Sequence, residues 1–219
     1  MTAAATQFRY IAVEGPIGVG KTSLARRLAE TYGASLILEQ AAENPFLERF
    51  YRNPRAAAFP AQLYFLFQRT QQLQALNQSD LFSPVRVADY LLAKDQLFAR
   101  ITLDEAEFGL YEQVHAKLGT VAPKPDLVIY LQAPVDVLLS RIARRGIAFE
   151  QQIDRAYLTR LNEAYSRFFH EYDEAPLLIV NAASMDPIGN QPDYEDLLLA
   201  ISRVRRGRNY YNAMRNGTI

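Results

Sequence analysis

At 219 residues and 49% hydrophobic content the chain can bury one substantial core, and nothing in it demands a second domain, so a single domain over 1–219 is expected. Lysine plus arginine and aspartate plus glutamate balance at 24 each, so no global field draws nucleic acid or an anionic membrane, and phosphate affinity has to be built locally. Cysteine is absent, which excludes disulfides, thiolate zinc sites and cysteine nucleophiles together and fits a reducing compartment.

The first residues, MTAAATQF, lack a basic n-region, and no apolar run approaches the roughly 20 residues that span a bilayer. A soluble cytoplasmic protein is expected. Phe8 to Val13 reads as a short strand, and Thr22 to Thr31 as a helix with Leu24, Ala25 and Leu28 on one face. Between them Gly15, Pro16, Ile17, Gly18, Val19, Gly20, Lys21 and Thr22 form a complete GxxxxGK[ST] phosphate-binding loop, followed by Ser23. Its glycines let successive N–H groups turn inward around an anion, and the helix N-terminus adds about 0.3–1 kcal/mol in favour of negative charge. Lys21 then reaches the β- and γ-phosphates of a nucleotide, and Thr22 offers its hydroxyl to Mg²⁺.

Ser35 to Leu38 is a second strand ending at Glu39, and Asn44-Pro45 opens a short helix through Phe46, Leu47 and Phe50. Phe59 to Gln78 is a longer helix carrying Leu63, Leu66, Phe67, Thr70 and Leu73. Val85 to Ala88 is a third strand ending at Asp89, and a helix runs from Leu92 to Ile101. Thr102 and Glu105 stand at capping-box spacing before a helix that stops at Leu118-Gly119. Asp126 to Gln132 is a near-continuous apolar strand, Pro134 to Arg145 the next helix, stopped by Gly146, and Leu177 to Val180 the fifth strand. Asp193 caps a last helix to Arg206, and Gly207 to Ile219 reads as a polar, mobile tail. Five strands, each followed by helix, predict an α/β fold: a parallel sheet with helices on both faces.

Ligands bind outside the carboxyl ends of such strands, which singles out the phosphate loop, Glu39 and Asp89. Phosphoryl transfer to a hydroxyl uses one carboxylate to accept the proton and another to hold Mg²⁺, so Thr22, Glu39 and Asp89 are the candidate metal residues.

Further motifs narrow this. LILEQ, ENPFLERFYRNP, FPAQLYFLFQRTQQL, PDLVIYLQAP, RIARRGIAFE and YLTRLNEAYSRFF, in that order between Tyr10 and Val180, resemble the P-loop deoxynucleoside kinases, nearest to the bacterial deoxyadenosine/deoxyguanosine kinase-like branch. The resemblance implies a three-layer P-loop kinase fold with an arginine-bearing lid. It also implies transfer of the γ-phosphate of ATP to the 5′-hydroxyl of a deoxynucleoside with Mg²⁺, as in nucleotide salvage. Carried over, it makes Glu39 the base, has Gln62 bind the nucleobase, and has Tyr51 and Glu150 hold the sugar 3′-hydroxyl beside Asp89. Arg141, Arg144 and Arg145, at i, i+3 and i+4, match the lid over the ATP phosphates, with Arg144 and Arg145 preferred as catalytic; cations near a helix C-terminus are favourable on their own as well.

One departure stands out. Most of the family follows the acid of the third strand with arginine and serine, whereas this chain reads Asp89-Tyr90-Leu91. Lys94, one turn further on, is the candidate source of the missing positive charge, against the plainer reading of a solvated lysine paired with Asp95 or Glu112. Phe46, Phe65, Phe67 and Phe98 are candidates to hold a base ring. His115 and His170 receive no role. The resemblance also implies a homodimer, for which Phe108, Leu110, Tyr111 and Val114 offer an apolar face that could equally pack inward. No nucleic-acid or membrane partner is expected, and Arg203, Arg205, Arg206 and Arg208 of the tail read as solvated. Two other readings remain: a nucleoside monophosphate kinase using Arg49, Arg52 and Arg55 on the acceptor's phosphate, and a nucleotide-binding module without turnover.

Overall fold

A computed structural model describes residues 6–78, 85–119 and 123–212. All five residues of the first strand, β1 (Tyr10–Glu14), are buried, and since neighbouring side chains point to opposite faces, both faces of the sheet are covered there. On one side β1 pairs with β3 (Arg86–Ala88), which pairs with β2 (Ser35–Ile37). On the other it pairs with β4 (Leu127–Gln132), then β5 (Leu177–Asn181) and β6 (Arg208–Tyr211). All pairings are parallel, in the order β2-β3-β1-β4-β5-β6. The chain runs one way along the sheet after β1 and the other way later, and that reversal opens a crevice beyond the carboxyl ends of β1 and β3.

The sheet thus has six strands where the sequence predicts five. The extra strand lies in the segment expected to be a mobile tail: Arg208–Tyr211 is polar, but its backbone completes the edge beside β5 from Leu177 to Val180. The rest of that expectation, residues 213–219, lies outside the described residues.

The expected helices are present with shifted ends, and one more, Arg155–Glu171, stands between the helix stopped by Gly146 and the fifth strand. The first, α1 (Lys21–Tyr32), starts directly at the phosphate loop and stops at Gly33. A short α2 (Leu47–Arg52) leads into α3 (Pro54–Gln78), which begins five residues before the expected Phe59 because Pro54 suits a first helical turn. After β3 come α4 (Lys94–Thr102) and α5 (Glu105–Leu118). The capping box of α5 is formed by Asp104 and Glu107, not by Thr102 and Glu105; Thr102 instead bonds back to the Phe98 carbonyl of α4. Helices α6 (Val135–Arg145) and α7 (Arg155–Glu171) precede β5, and α8 (Gln191–Arg203) is capped by Asn190. Asp193 sits in its first turn, accepting a bond from the Asp186 N–H, because Pro192 already lies inside the helix.

The main core is built from β1, β4 and β5 with Leu24 and Leu28 of α1 and Leu158, Leu161 and Tyr165 of α7. A smaller cluster joins Leu66, Ala99, Phe108 and Tyr111. Phe108 and Tyr111 therefore pack inward rather than offering an association face, while Leu110 is exposed. Among the described residues no helix is long and apolar enough to cross a membrane.

Candidate active site

The phosphate loop links β1 to α1 on backbone geometry that only glycine meets. Gly15 has φ +148°, and a Cβ there would come within 2.5 Å of the Leu131 carbonyl oxygen on β4. Gly18 has φ +84° and sits 2.9 Å, measured from such a Cβ, from the Leu138 carbonyl of α6. No side chain caps α1, so its first N–H groups are left for an anion. Lys21 Nζ folds across the loop to the carbonyls of Gly15 (2.7 Å) and Pro16 (3.1 Å). Burial, then repulsion from Lys94, pushes its ammonium down to about 8, against the pull of Glu14, Glu39 and Asp89.

On the outer side of this loop a cavity of about 870 Å³ runs under Arg141, Arg144 and Arg145 of α6 to the segment Met185–Gly189. Arg141 is not a free lid residue. Its guanidinium donates to the carbonyls of Val19 (3.1 Å) and Ala182 (2.7 Å), tying the phosphate loop to the end of β5. Arg144 is exposed and, among the described residues, makes no ion pair. Arg145 is paired with Glu150.

A second, tighter cavity of about 140 Å³ lies on the inner side, and the two share Gly18, Lys21, Thr22 and Arg145 in their walls. The inner cavity gathers Glu39, Tyr51, Gln62, Asp89, Lys94 and Glu150 with the rings of Phe65 and Phe98. Of the other aromatic candidates, Phe67 is 45% exposed and Phe46 packs against the core, so neither lines it. Gln62 is buried, and among the described residues nothing hydrogen-bonds its amide. Tyr51 stacks on Phe149 at 6.1 Å and 10°; burial first, then Tyr157, Glu150 and Glu39, holds its hydroxyl well above the usual tyrosine range despite Arg145.

Glu39, two residues beyond β2, lines the inner cavity together with Lys21 and Thr22 of the phosphate loop. One oxygen is paired with Arg69 and the other with Lys94 at 3.0 Å. Burial works to raise its pKa, but Arg69, Lys94 and Lys21 together outweigh that and hold the carboxyl well below the usual range. Asp89 accepts from the Glu39 N–H at 2.8 Å and from the Thr22 hydroxyl at 2.5 Å. Thr22 and Asp89 thus put two hard oxygens together at the mouth of the phosphate loop, as a Mg²⁺ site completed by phosphates and water requires. Glu39 is joined to that pair by its N–H on Asp89, while its own two oxygens face Arg69 and Lys94. Among the described residues no cluster of three metal-ligating side chains exists.

Lys94 is neither solvated nor paired as its plainer reading had it: it is 3% exposed, Asp95 is taken by Arg69, and Glu112 lies 4.0 Å from Arg100. Sequence reasoning missed two charged residues here. Arg69 lies seven residues, about two helical turns, after Gln62 and so on the same face of α3, a spacing that was there to be read. Glu14, one residue past the strand expected over Phe8 to Val13, is 1% exposed. Its carboxylate accepts from the Gly15 N–H (2.8 Å), the Leu91 N–H (2.8 Å) and the Tyr165 hydroxyl (3.0 Å), and lies 3.8 Å from Lys94 Nζ.

Comparison with known proteins matches residues 11–204 to the family described as deoxynucleoside kinase. A deoxyguanosine kinase of Bacillus subtilis is 37% identical over 203 residues, covering 89% of this chain and 97% of that protein. A deoxyadenosine kinase of Lactobacillus acidophilus is 30% identical over 213 residues, covering 90% and 97%. Among solved structures, deoxyadenosine kinase from M. mycoides with bound dATP superposes with a TM-score of 0.76 at 25% identity, covering 87% of this chain and 97% of that one.

Proposed function

The chain belongs to the deoxynucleoside kinase family, and we propose that it moves the γ-phosphoryl group of ATP to the 5′-hydroxyl of a deoxynucleoside with Mg²⁺. The observation that carries this is the meeting of the two cavities at Gly18, Lys21, Thr22 and Arg145, with Glu39 in the lining of the inner one. The outer cavity takes the nucleotide, its phosphates in the loop from Gly15 to Ser23. The inner one takes the nucleoside, with Gln62 on the base edge and Tyr51 and Glu150 at the sugar.

In this reading Glu39 accepts the hydroxyl proton. Held low by its cations, it stays ionised at working pH and acts first as the acceptor that aims the hydroxyl, taking the proton late, as a loose phosphoryl-transfer transition state permits. Lys21 and the loop N–H groups hold the β- and γ-phosphates. Mg²⁺ on Thr22 and Asp89, when bound, neutralises charge on those oxygens. Arg144 is free to reach the transferring group; Arg145 does so by exchanging Glu150 for phosphate, which releases Glu150 toward the sugar.

A monophosphate acceptor is disfavoured by the placement of the arginines it needs. Arg52 is paired with exposed Glu48, Arg49 with the Ala56 carbonyl, and neither they nor Arg55 line the inner cavity. A binding-only module has no use for a carboxylate aimed across a phosphate loop. Association into a homodimer belongs to the proposal too, with exposed Leu110 of α5 and Phe67 of α3 as the residues whose replacement by aspartate is to be followed by light scattering. The activity is tested by ATP consumption over deoxynucleosides, ribonucleosides and monophosphates, with Lys21→Ala as control. Turnover with deoxynucleosides, reduced about 10²-fold or more by the control, is expected; no deoxynucleoside-dependent turnover would overturn the reading.

A further inference from the structure

Tyr90 follows Asp89 directly, yet its side chain is not in the wall of the inner cavity. It is 1% exposed, its hydroxyl donates to Gln72 Oε1 at 2.7 Å, and its ring packs with Tyr10, Ile37 and Ala88. No cation stands at that point in the chain. Two cations of the inner cavity lie 5.7 Å from the Tyr90 ring, Arg69, which is taken up by Glu39 and Asp95, and Lys94, whose ammonium stands beside Lys21, Thr22, Glu39 and Asp89.

Resting on the kinase reading, the geometry points to Lys94 as the catalytic cation that meets the transferring phosphoryl group, with Glu14 as the positioning residue that holds it in register with the phosphate loop. A buried ammonium needs acceptors, and Lys94 has Glu39 at 3.0 Å and Glu14 at 3.8 Å. An ammonium has three N–H donors, so two carboxylates leave one for a phosphoryl oxygen arriving between Lys21 and Glu39. Glu14 cannot follow the ligand. Its two oxygens are pinned by the main-chain N–H groups of Gly15, the first residue of the phosphate loop, and Leu91, two residues beyond Asp89, with Tyr165 of α7 as a third donor. Lys94 is therefore tethered on one side to the frame that fixes the donor and on the other to the carboxylate that receives the acceptor hydroxyl.

The step balances with Lys94 as donor only. The 5′-oxygen bonds to the γ-phosphorus while the bond from that phosphorus to the β–γ bridging oxygen breaks. ADP leaves with the electron pair, the hydroxyl proton passes to Glu39, and Lys94 keeps all of its own protons while stabilising charge on the phosphoryl oxygens.

The test is a double-mutant cycle on the full chain with Lys94→Met, Glu14→Gln and the pair, measuring kcat and both KM values, with folding checked by circular dichroism. Lys94→Met is expected to lower kcat about 10²–10³-fold with each KM held within about threefold, and Lys94→Arg to regain at least about tenfold. Glu14→Gln is expected to lower kcat about tenfold or more, and the double variant to be no slower than Lys94→Met alone, because Glu14 acts through Lys94. A structural role at Glu14 would instead multiply the two losses. Where Lys94→Met does not fold, Lys94→Gln takes its place with the same outcomes. Lys94 variants within about threefold of the parent in kcat, or multiplying losses, overturn the inference. Failure of the kinase reading looks different, since then the parent itself shows no deoxynucleoside-dependent turnover and Glu39→Gln changes nothing.

Discussion

The outer and inner cavities are made of different materials. At the phosphate loop the outer one presents main chain: glycines, an uncapped helix N-terminus and carbonyls buttressed by Arg141. The inner one is walled by side chains, Glu39, Arg69 and Lys94 among them, and these belong to a buried ion-pair network, completed by Glu14 and Asp95, of three carboxylates and two cations drawn from β1, the end of β2, α3 and α4. Main chain grips what every nucleoside triphosphate shares, and its grip follows from local conformation. A side-chain network grips through paired charges, so removing either of its two cations leaves buried carboxylates short of a partner.

The contrast breaks most visibly at Glu39. Glu39→Gln is expected to lower kcat about 10²–10⁴-fold while leaving the KM for ATP nearly unchanged; steady-state kinetics with both substrates checks this, and an equal rise in both KM values would mean that the two cavities are not separate in function. Gly15→Ala tests the other material. A methyl facing the Leu131 carbonyl at φ +148° is expected to cost about 1–3 kcal/mol in chemical denaturation and to weaken ATP binding in calorimetry more than nucleoside binding.

A subtler effect lies in the pH profile. The active form of Glu39 is the carboxylate, and Arg69, Lys94 and Lys21 hold its pKa low, so kcat/KM for the nucleoside is expected to show no acid limb from this group down to about pH 5. Arg69→Met removes the foremost of those cations; the pKa of Glu39 then rises, and activity near pH 5 falls relative to activity near pH 8. Smallest is the effect of Asn190→Ala, which strips the cap from α8 away from Glu39. It should cost about 1 kcal/mol in thermal unfolding with kcat unchanged.

The same contrast explains what the sequence reveals. The phosphate loop is contiguous, so its eight positions and both flanks can be read along the chain. Strand positions along the chain and α/β class follow from apolar periodicity, which is why β1, β4 and β5 stand within a residue or two of their expected places. The edge strand Arg208–Tyr211 escaped because an edge needs only backbone pairing on one side, and its side chains stay polar. Asp104 and Asn190 were passed over for neighbours with equally good cap chemistry, a choice that depends on where the preceding segment enters the helix. The inner cavity hid its charges for a stronger reason. Glu14 and Lys94 are 80 positions apart in the numbering and meet only because β1 and the segment after β3 are neighbours in the sheet. Gln62, Tyr51, Glu150 and Asp89 gather in one cavity; the use of Arg141 to brace the loop and of both Glu39 oxygens to hold cations could not be read from spacing.

Arg141 carries one more implication. With its guanidinium fastened to both Val19 and Ala182, most of α6 is riveted to the floor it was expected to close over. Any movement of the helix over bound phosphates then falls to its tip, from Arg144 onward to the C-cap Gly146, where among the described residues no such brace holds the arginine side chains to the loop. A clamp that bends only at its fingertip can let nucleotide come and go while the floor beneath it keeps its shape.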